Sequence, residues 1–254
     1  MLVGCAVPGV MLPEGDLLRD VYLRGSPAVP TVALTFDDGP NGRCTAAVLD
    51  ALAELHAPAT FFVLGKNVRA GDNAALLVRM VREGHTIGIH SDRHRVRPAF
   101  LRGLTAEDLD LAVHTVDGAL RDAGIADPPP VRFFRPPFGF VLQPLTRAAA
   151  AAHLDIIEWT VSVRDWERDR TVGDVSAAIL DRARAGDIIV LHDGDATNQR
   201  SRERCTDRAI VAGVIRRIVP ELAARGLHPA PLAEVLGIDV ARSGGDLTAP
   251  GPAH

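Results

Sequence analysis

Residues 31–40 read Thr31-Val32-Ala33-Leu34-Thr35-Phe36-Asp37-Asp38-Gly39-Pro40. The first six are β-branched, apolar or aromatic, the composition of a buried strand. Asp-Gly-Pro is turn chemistry, so the strand stops there. Two carboxylates are thereby set side by side on a tight turn at a sheet edge. Adjacent carboxylates repel, and one of them must find a cation or take up a proton. The segment reads as a metal-and-base site or, more plainly, as an ordinary turn.

Similar apolar runs recur at 59–64, 86–89, 131–134, 155–159 and 187–191. Helical patterns lie between them. Over 74–83, Leu76, Leu77, Met80 and Val81 share a face before Gly84. Over 106–123, Leu109, Val113, Val116 and Leu120 recur every three or four residues, with Thr105 as N-cap and Gly124 as stop. Over 207–225, Ile210, Val214, Ile218 and Leu222 do the same before Gly226. Alternating strands and helices predict an α/β fold with a parallel sheet. The 254 residues suit one domain of barrel size. No internal repeat is evident. The expected organisation is an N-terminal extension over 1–30, packed on the domain or partly mobile, a main domain over 31–240, and a disordered tail over 241–254.

Composition narrows the partners. The net charge is −4, from 28 basic and 32 acidic residues, and no basic tract stands out, so a nucleic-acid partner is not expected. No stretch approaches the ~20 apolar residues of a membrane span. The three cysteines, Cys5, Cys44 and Cys205, are too few and too scattered for a disulfide framework. They fit a reducing compartment or a secreted protein that needs no staples. The N-terminus lacks a basic segment followed by an apolar one, the mark of a signal peptide. Leu2-Val3-Gly4-Cys5 resembles a lipobox, which functions only behind a hydrophobic signal segment. The sequence as it stands is expected to be cytoplasmic; a start site further upstream would make it secreted or lipid-anchored. Nothing in the sequence sets an oligomeric state.

Three further segments carry chemistry. His90-Ser91-Asp92-Arg93-His94 places two imidazoles four apart, within reach of one metal, or else on the surface as a plain pair. In Phe134-Arg135-Pro136-Pro137-Phe138-Gly139 two prolines stiffen a turn and the glycine permits close backbone approach. An arginine at such a turn is a common carboxylate partner, though the segment also reads as a plain loop. Leu191-His192-Asp193 follows the buried-type strand Asp187-Ile188-Ile189-Val190, so His192 emerges at a strand end or sits in the core.

In this order the segments resemble the polysaccharide deacetylase domain of carbohydrate esterase family 4. Its five motifs are matched by Asp37-Asp38, by His90 and His94, by Arg135 to Gly139, by Ser162-Val163-Arg164-Asp165-Trp166, and by Leu191-His192-Asp193. The connecting segments Ala59 to Gly65 and Glu83 to Gly88 are similar too, and the resemblance spans residues 31–237. It implies a single-domain, irregular (β/α)7 or (β/α)8 barrel with the motifs at strand C-terminal ends. It also implies a metal-dependent amide hydrolase that takes the N-acetyl group from an amino sugar, in a polymer, an oligosaccharide or a small glycoside, and releases acetate. Deformylases and cyclic-amide hydrolases of the same superfamily, and deacetylases of small biosynthetic intermediates, are the alternatives. A non-catalytic carbohydrate-binding relative is a third class.

The resemblance assigns roles. Asp38, His90 and His94 would hold one divalent metal; one carboxylate and two imidazoles suit Zn2+, and Co2+, Ni2+ or Fe2+ would be tolerated. Asp37 would be the general base, held by Arg135, and the Phe138 N–H would complete an oxyanion hole. His192 would be the general acid and Leu191 would help form the acyl-methyl pocket. Asp165 would orient Arg135 or tune His192. Trp166 would pack or serve as a sugar platform. Three departures stand out. Ser162 replaces a usual acid, Ile89 replaces a frequent Asn, and Asp92-Arg93 sits between the histidines, where Asp92 would pair with Arg93 or reach the metal. The polar segment 195–204 reads as a solvated loop first and a substrate-recognition loop second.

Overall fold

A computed structural model describes residues 21–94, 105–194 and 208–238, preceded by two short antiparallel strands, β1 (Val3–Gly4) and β2 (Met11–Leu12). The main sheet contains β3 (Val21–Tyr22), β4 (Thr31–Asp37), β5 (Thr60–Val63), β6 (Thr86–Ile89), β7 (Phe133–Phe134), β8 (Asp155–Ile157), β9 (Val161–Ser162), β10 (Ile188–His192) and β11 (His228–Pro229). Their order is β3-β8-β7-β6-β5-β4-β10-β9, with β11 added on β4, and every pairing is parallel. The helices are α1 (Arg43–Glu54), α2 (Gly65–Val68), α3 (Asn73–Arg82), α4 (Ala106–Asp122), α5 (Gln143–Ala151), α6 (Val172–Arg182), α7 (Val211–Ala224) and α8 (Leu232–Leu236).

The barrel character comes from one continuous segment. Residues 155–157 pair with β7, while residues 161–162, four positions on, pair with β10 at the other end of the sheet. A single stretch of chain thus carries β9, at one end of the strand order, and β8, next to the other end, and curls the sheet round. This is the expected irregular α/β barrel in a single domain. Strand β4 lies at its centre and is buried at all seven positions, because β5 and β10 flank it and helices cover it. Phe36 stacks on Phe61 of β5 at 5.1 Å between ring centroids. Full burial of such a side chain contributes about 1.5–3 kcal/mol, so the same run that ends in two acids also anchors the core.

Register places the motifs. His192 lies opposite Asp37 in the β4–β10 ladder, and Ser162 lies opposite Val190 in the β9–β10 ladder. His90 and Arg135 are the first residues beyond β6 and β7; their N–H groups still donate to Val63 and Ile89. All five motifs therefore converge at the C-terminal end of a parallel sheet, where the chain leaves the strands.

The anticipated strands and helices form, with differences of physical origin. The run 131–134 keeps only two strand residues, since Pro128-Pro129-Pro130 just before it cannot donate to a ladder. The helix expected over 207–225 begins at Val211. Val21–Tyr22, within the expected 1–30 extension, is hydrogen-bonded beside β8. Helices α1, α5 and α6 were not anticipated. In α5 the core face is mostly alanine, which leaves little periodic signal. The tail 241–254 and the segment 195–204 lie outside the described residues. Among the described residues no helix is long and apolar enough to cross a membrane.

Thr105 caps α4 as expected, in a reciprocal capping box with Asp108. Gly124, just past the helix, takes φ 87, a conformation that favours glycine. Thr105→Ala is expected to lower stability by about 1 kcal/mol. Urea unfolding would show this as a lower midpoint at unchanged slope.

Candidate active site

Asp38 follows β4 with φ 73, an uncommon conformation that aspartate tolerates. The Asn67 side-chain amide donates to its carbonyl at 2.6 Å. Gly39 next to it faces Asp193 so closely that a Cβ there would collide with the carboxyl group. The turn therefore has one shape, and it aims the Asp38 carboxylate at two imidazoles. Asp38 Oδ1 lies 3.8 Å from His90 Nε2 and 3.6 Å from His94 Nε2. That oxygen is buried and has no hydrogen-bond donor among the described residues.

His90 Nδ1 lies 2.7 Å from the Arg135 carbonyl, so Nδ1–H donates there and the Nε2 lone pair faces Asp38. Burial, with His94 adding to it, drives the His90 pKa down to about 3. Burial likewise lowers His94, against the opposing pull of Asp38. Both rings are thus held neutral, the state in which imidazole ligates metal. One ligand atom each from Asp38, His90 and His94 lies within 4.8 Å of the others. Three converging ligand atoms, an orphaned buried carboxylate oxygen and the fixed His90 tautomer fit a divalent cation.

Asp37 differs from Asp38 in its partner, although its Oδ2 still lies 4.0 Å from His90 Nε2. Arg135 is completely buried, and its Nη1 donates to Asp37 Oδ1 and to Thr35 Oγ1, both at 2.8 Å. Its Nε donates to Ile157 O at 3.1 Å and its Nη2 to Glu158 O at 3.0 Å. The guanidinium also lies 4.1 Å over the Phe62 ring. Below it, the Glu158 carboxyl is fully buried with no partner among the described residues, and burial pushes its pKa well above the usual range. A neutral Glu158 leaves the Arg135 charge to Asp37.

His192 faces Asp37 across the strand pair. Asp165 accepts from His192 twice, at 2.9 Å from Nδ1 and at 2.8 Å from the backbone N–H. Burial alone would lower this imidazole's pKa. The Asp165 charge and hydrogen bond outweigh it, with Asp37 and Asp38 adding, and the pKa is pushed up to about 9. The Trp166 ring meets His192 edge-on at 4.7 Å, and Phe138 meets His94 edge-on at 4.5 Å. Asp37, Asp38, His90, His94, Phe138, Trp166 and His192 all line one cavity of about 740 Å³.

Of the residues singled out from sequence, Arg135 and Asp165 stand behind this cavity, each bound to a residue that lines it. Leu191 is fully buried and does not line the cavity; its neighbours Val190 and His192 do. The open choice for Asp165 resolves to His192, and that for Asp92 resolves to pairing, since it binds Arg69 and, at 3.0 Å, Arg93. Cys44 is disulfide-bonded, with a partner outside the described residues, so one staple exists where none was expected. Sequence reading missed Arg170, Arg182 and Arg208, which also line the cavity. Glu167-Arg168-Asp169-Arg170 reads as a solvated charge run, and nothing local marks Arg182 or Arg208.

Asp165→Asn removes the carboxylate that holds His192 protonated. The imidazole is then expected to titrate well below about 9, towards its ordinary ~6.5. Histidine NMR titration of both proteins would check this; coincident curves would contradict it.

The sequence pattern described as Polysaccharide deacetylase matches residues 24–157. A chitooligosaccharide deacetylase of Sinorhizobium fredii is 36% identical over 211 residues, which cover 83% of this chain and 94% of that one. A peptidoglycan-N-acetylglucosamine deacetylase of Bacillus cereus is 30% identical over 208 residues, covering 81% and 87%. The structure of a family 4 acetyl xylan esterase from Clostridium thermocellum, in complex with a cobalt ion, superposes with a TM-score of 0.66 at 27% identity, covering 83% of this chain and 93% of that one. On its sequence and its fold alike, the chain belongs to the polysaccharide deacetylase family.

Proposed function

We propose that this chain is a metal-dependent amide hydrolase that removes the N-acetyl group from an N-acetylated amino sugar and releases acetate. One observation carries the reading. A three-ligand cluster and an arginine-held carboxylate share a cavity with a carboxylate-held imidazole. Amide hydrolysis needs an activated water, a stabiliser for the oxyanion and an acid for the leaving amine, and these groups match that need. The activities for which the two deacetylases above are named support the same bond and the same class of sugar.

Asp38, His90 and His94 would hold a divalent cation, most simply Zn2+, which when bound would supply Lewis-acid chemistry to the acyl group and the water. Asp37 takes the proton from that water. Arg135 keeps the Asp37 carboxylate oriented for this step. The Phe138 N–H donates to the acyl oxygen as it gains charge. His192, protonated at neutral pH, hands its Nε2 proton to the departing nitrogen, and the C–N bond breaks to leave acetate and a free amine. Asp165 holds the resulting imidazole by Nδ1. Exposed Trp166 and Phe138 offer faces on which a sugar ring can stack, and Leu191 backs the wall formed by Val190 and His192.

The disulfide at Cys44 favours an oxidising compartment, and with it export towards wall or extracellular glycans rather than a cytoplasmic role.

Zinc-loaded protein is expected to release acetate from chitooligosaccharides and to stop when the metal is chelated. No acetate from any N-acetylated sugar, oligomer or polymer would overturn the reading. Asp37→Asn should keep the metal yet lose turnover, whereas His90→Ala should lose both. His192→Ala should slow turnover by ~10²–10⁴, the usual weight of a general acid. In the wild type, activity should decline as pH rises through about 9 and His192 gives up its proton.

A further inference from the structure

The fifth motif carries a second acid to which the reaction gives no task. Asp193 follows His192 at the end of β10 and is completely buried. Its Oδ1 has no donor among the described residues. A buried carboxyl oxygen without a donor is destabilising, so a carboxyl at this position calls for an explanation other than stability.

The other oxygen supplies one. Thr45 Oγ1 donates to Asp193 Oδ2, and the same hydroxyl accepts from the Asn41 N–H at 2.8 Å. Thr45 sits in the first turn of α1 and is also completely buried. A two-step hydrogen-bond relay, closed to water, thus runs from Asp193 to Asn41. Between its ends, Gly39 lies against the Asp193 carboxyl, where any Cβ would collide. The contact is reciprocal, since a Cβ on Gly194 would meet the Asp38 carbonyl. The Asp193 and Gly194 N–H groups also donate to the Asp37 carbonyl, at 3.2 and 3.3 Å.

These contacts bracket Asp38. Residue 37 is held by the backbone at 193 and 194, residue 39 by the Asp193 carboxyl, and residue 41 through Thr45. Asp38 itself has φ 73, an uncommon conformation that a loosened turn would leave. Its Oδ1 keeps its place 3.8 and 3.6 Å from the His90 and His94 Nε2 atoms only while that turn holds. Groups that orient a metal ligand from behind contribute to affinity without touching the metal.

We propose that Asp193 is a positioning residue of the metal centre: acting on Gly39 directly and on Asn41 through Thr45, its carboxyl holds the turn from which Asp38 meets the two imidazoles. The proposal rests on the reading of Asp38, His90 and His94 as metal ligands and on nothing about the substrate.

Zinc affinity of the whole chain, titrated against a competing chromophoric chelator with no substrate present, tests it. Thr45→Val keeps the side-chain shape and removes the hydroxyl; Asp193→Ala removes the carboxyl. Each should bind zinc ~10–100-fold more weakly than the unsubstituted protein, the usual effect of losing a group that orients a ligand. The double variant should be no weaker than the weaker single one, because both substitutions cut the same relay. Thr45→Ser keeps the hydroxyl and should bind zinc nearly as well as the unsubstituted protein. Urea midpoints of the metal-free proteins show whether the fold survives; if Asp193→Ala does not fold, the two Thr45 variants decide alone. Unchanged zinc affinity in Thr45→Val would overturn the proposal, even with a lowered urea midpoint, which is the mark of a merely structural contact. So would losses that multiply in the double variant, or a Thr45→Ser protein as weak as Thr45→Val. If the unsubstituted protein takes up no zinc, the metal reading falls and this proposal with it. If it binds zinc and the variants bind equally well, the proposal alone falls.

Discussion

The buried pair between Arg135 and Asp37 is the constraint on which the rest of the site depends. Removing two charges from water is costly, and such a pair holds only where hydrogen bonds satisfy what burial takes away. Each of the three guanidinium nitrogens has an acceptor, and these acceptors come from β4, from β8 and from the residue after it. The same side chain therefore ties the central strand to the segment that curls the sheet shut. Its own carbonyl fixes the tautomer of His90. Fold closure, the oriented carboxylate and the metal-ligand ring all converge on one residue.

That arrangement gives two neighbouring acids different work. Asp37 is neutralised from behind by an arginine, whereas Asp38 is left with a bare oxygen towards two neutral imidazoles. Across the strand pair the logic is inverted: His192, half-buried and to that extent disfavoured as a cation, is kept protonated by Asp165. A base and an acid thus coexist at one pH because each has its own buried partner. The register of β4 against β10 sets them face to face.

Much of this was legible in the sequence, for identifiable reasons. A β-branched run that stops in Asp-Asp-Gly-Pro leaves few alternatives; His90, His94 and Arg135 follow strands short enough to read, and His192 ends one. The partners of Asp165 and Asp92 were not legible, because a carboxylate's choice among several cations depends on tertiary placement. The guanidinium-lined end of the cavity was hidden because its arginines are scattered over 170, 182 and 208 and look like solvated surface one at a time. Cys44 shows the same limit: three scattered cysteines give no pairing pattern, yet Cys44 is disulfide-bonded. Helix α5 was missed because alanine packs against the core without a strong apolar signature.

The account's central claim is that Arg135 and Asp37 act as one unit. A double-mutant cycle of Arg135→Met and Asp37→Asn, with zinc content and acetate release measured for all four proteins, tests it most directly. Residues that act together lose most of their effect with the first substitution. The prediction is retained zinc throughout and a double variant no slower than the slower single one. Rate losses that multiply, or zinc lost with Arg135 alone, would contradict the account.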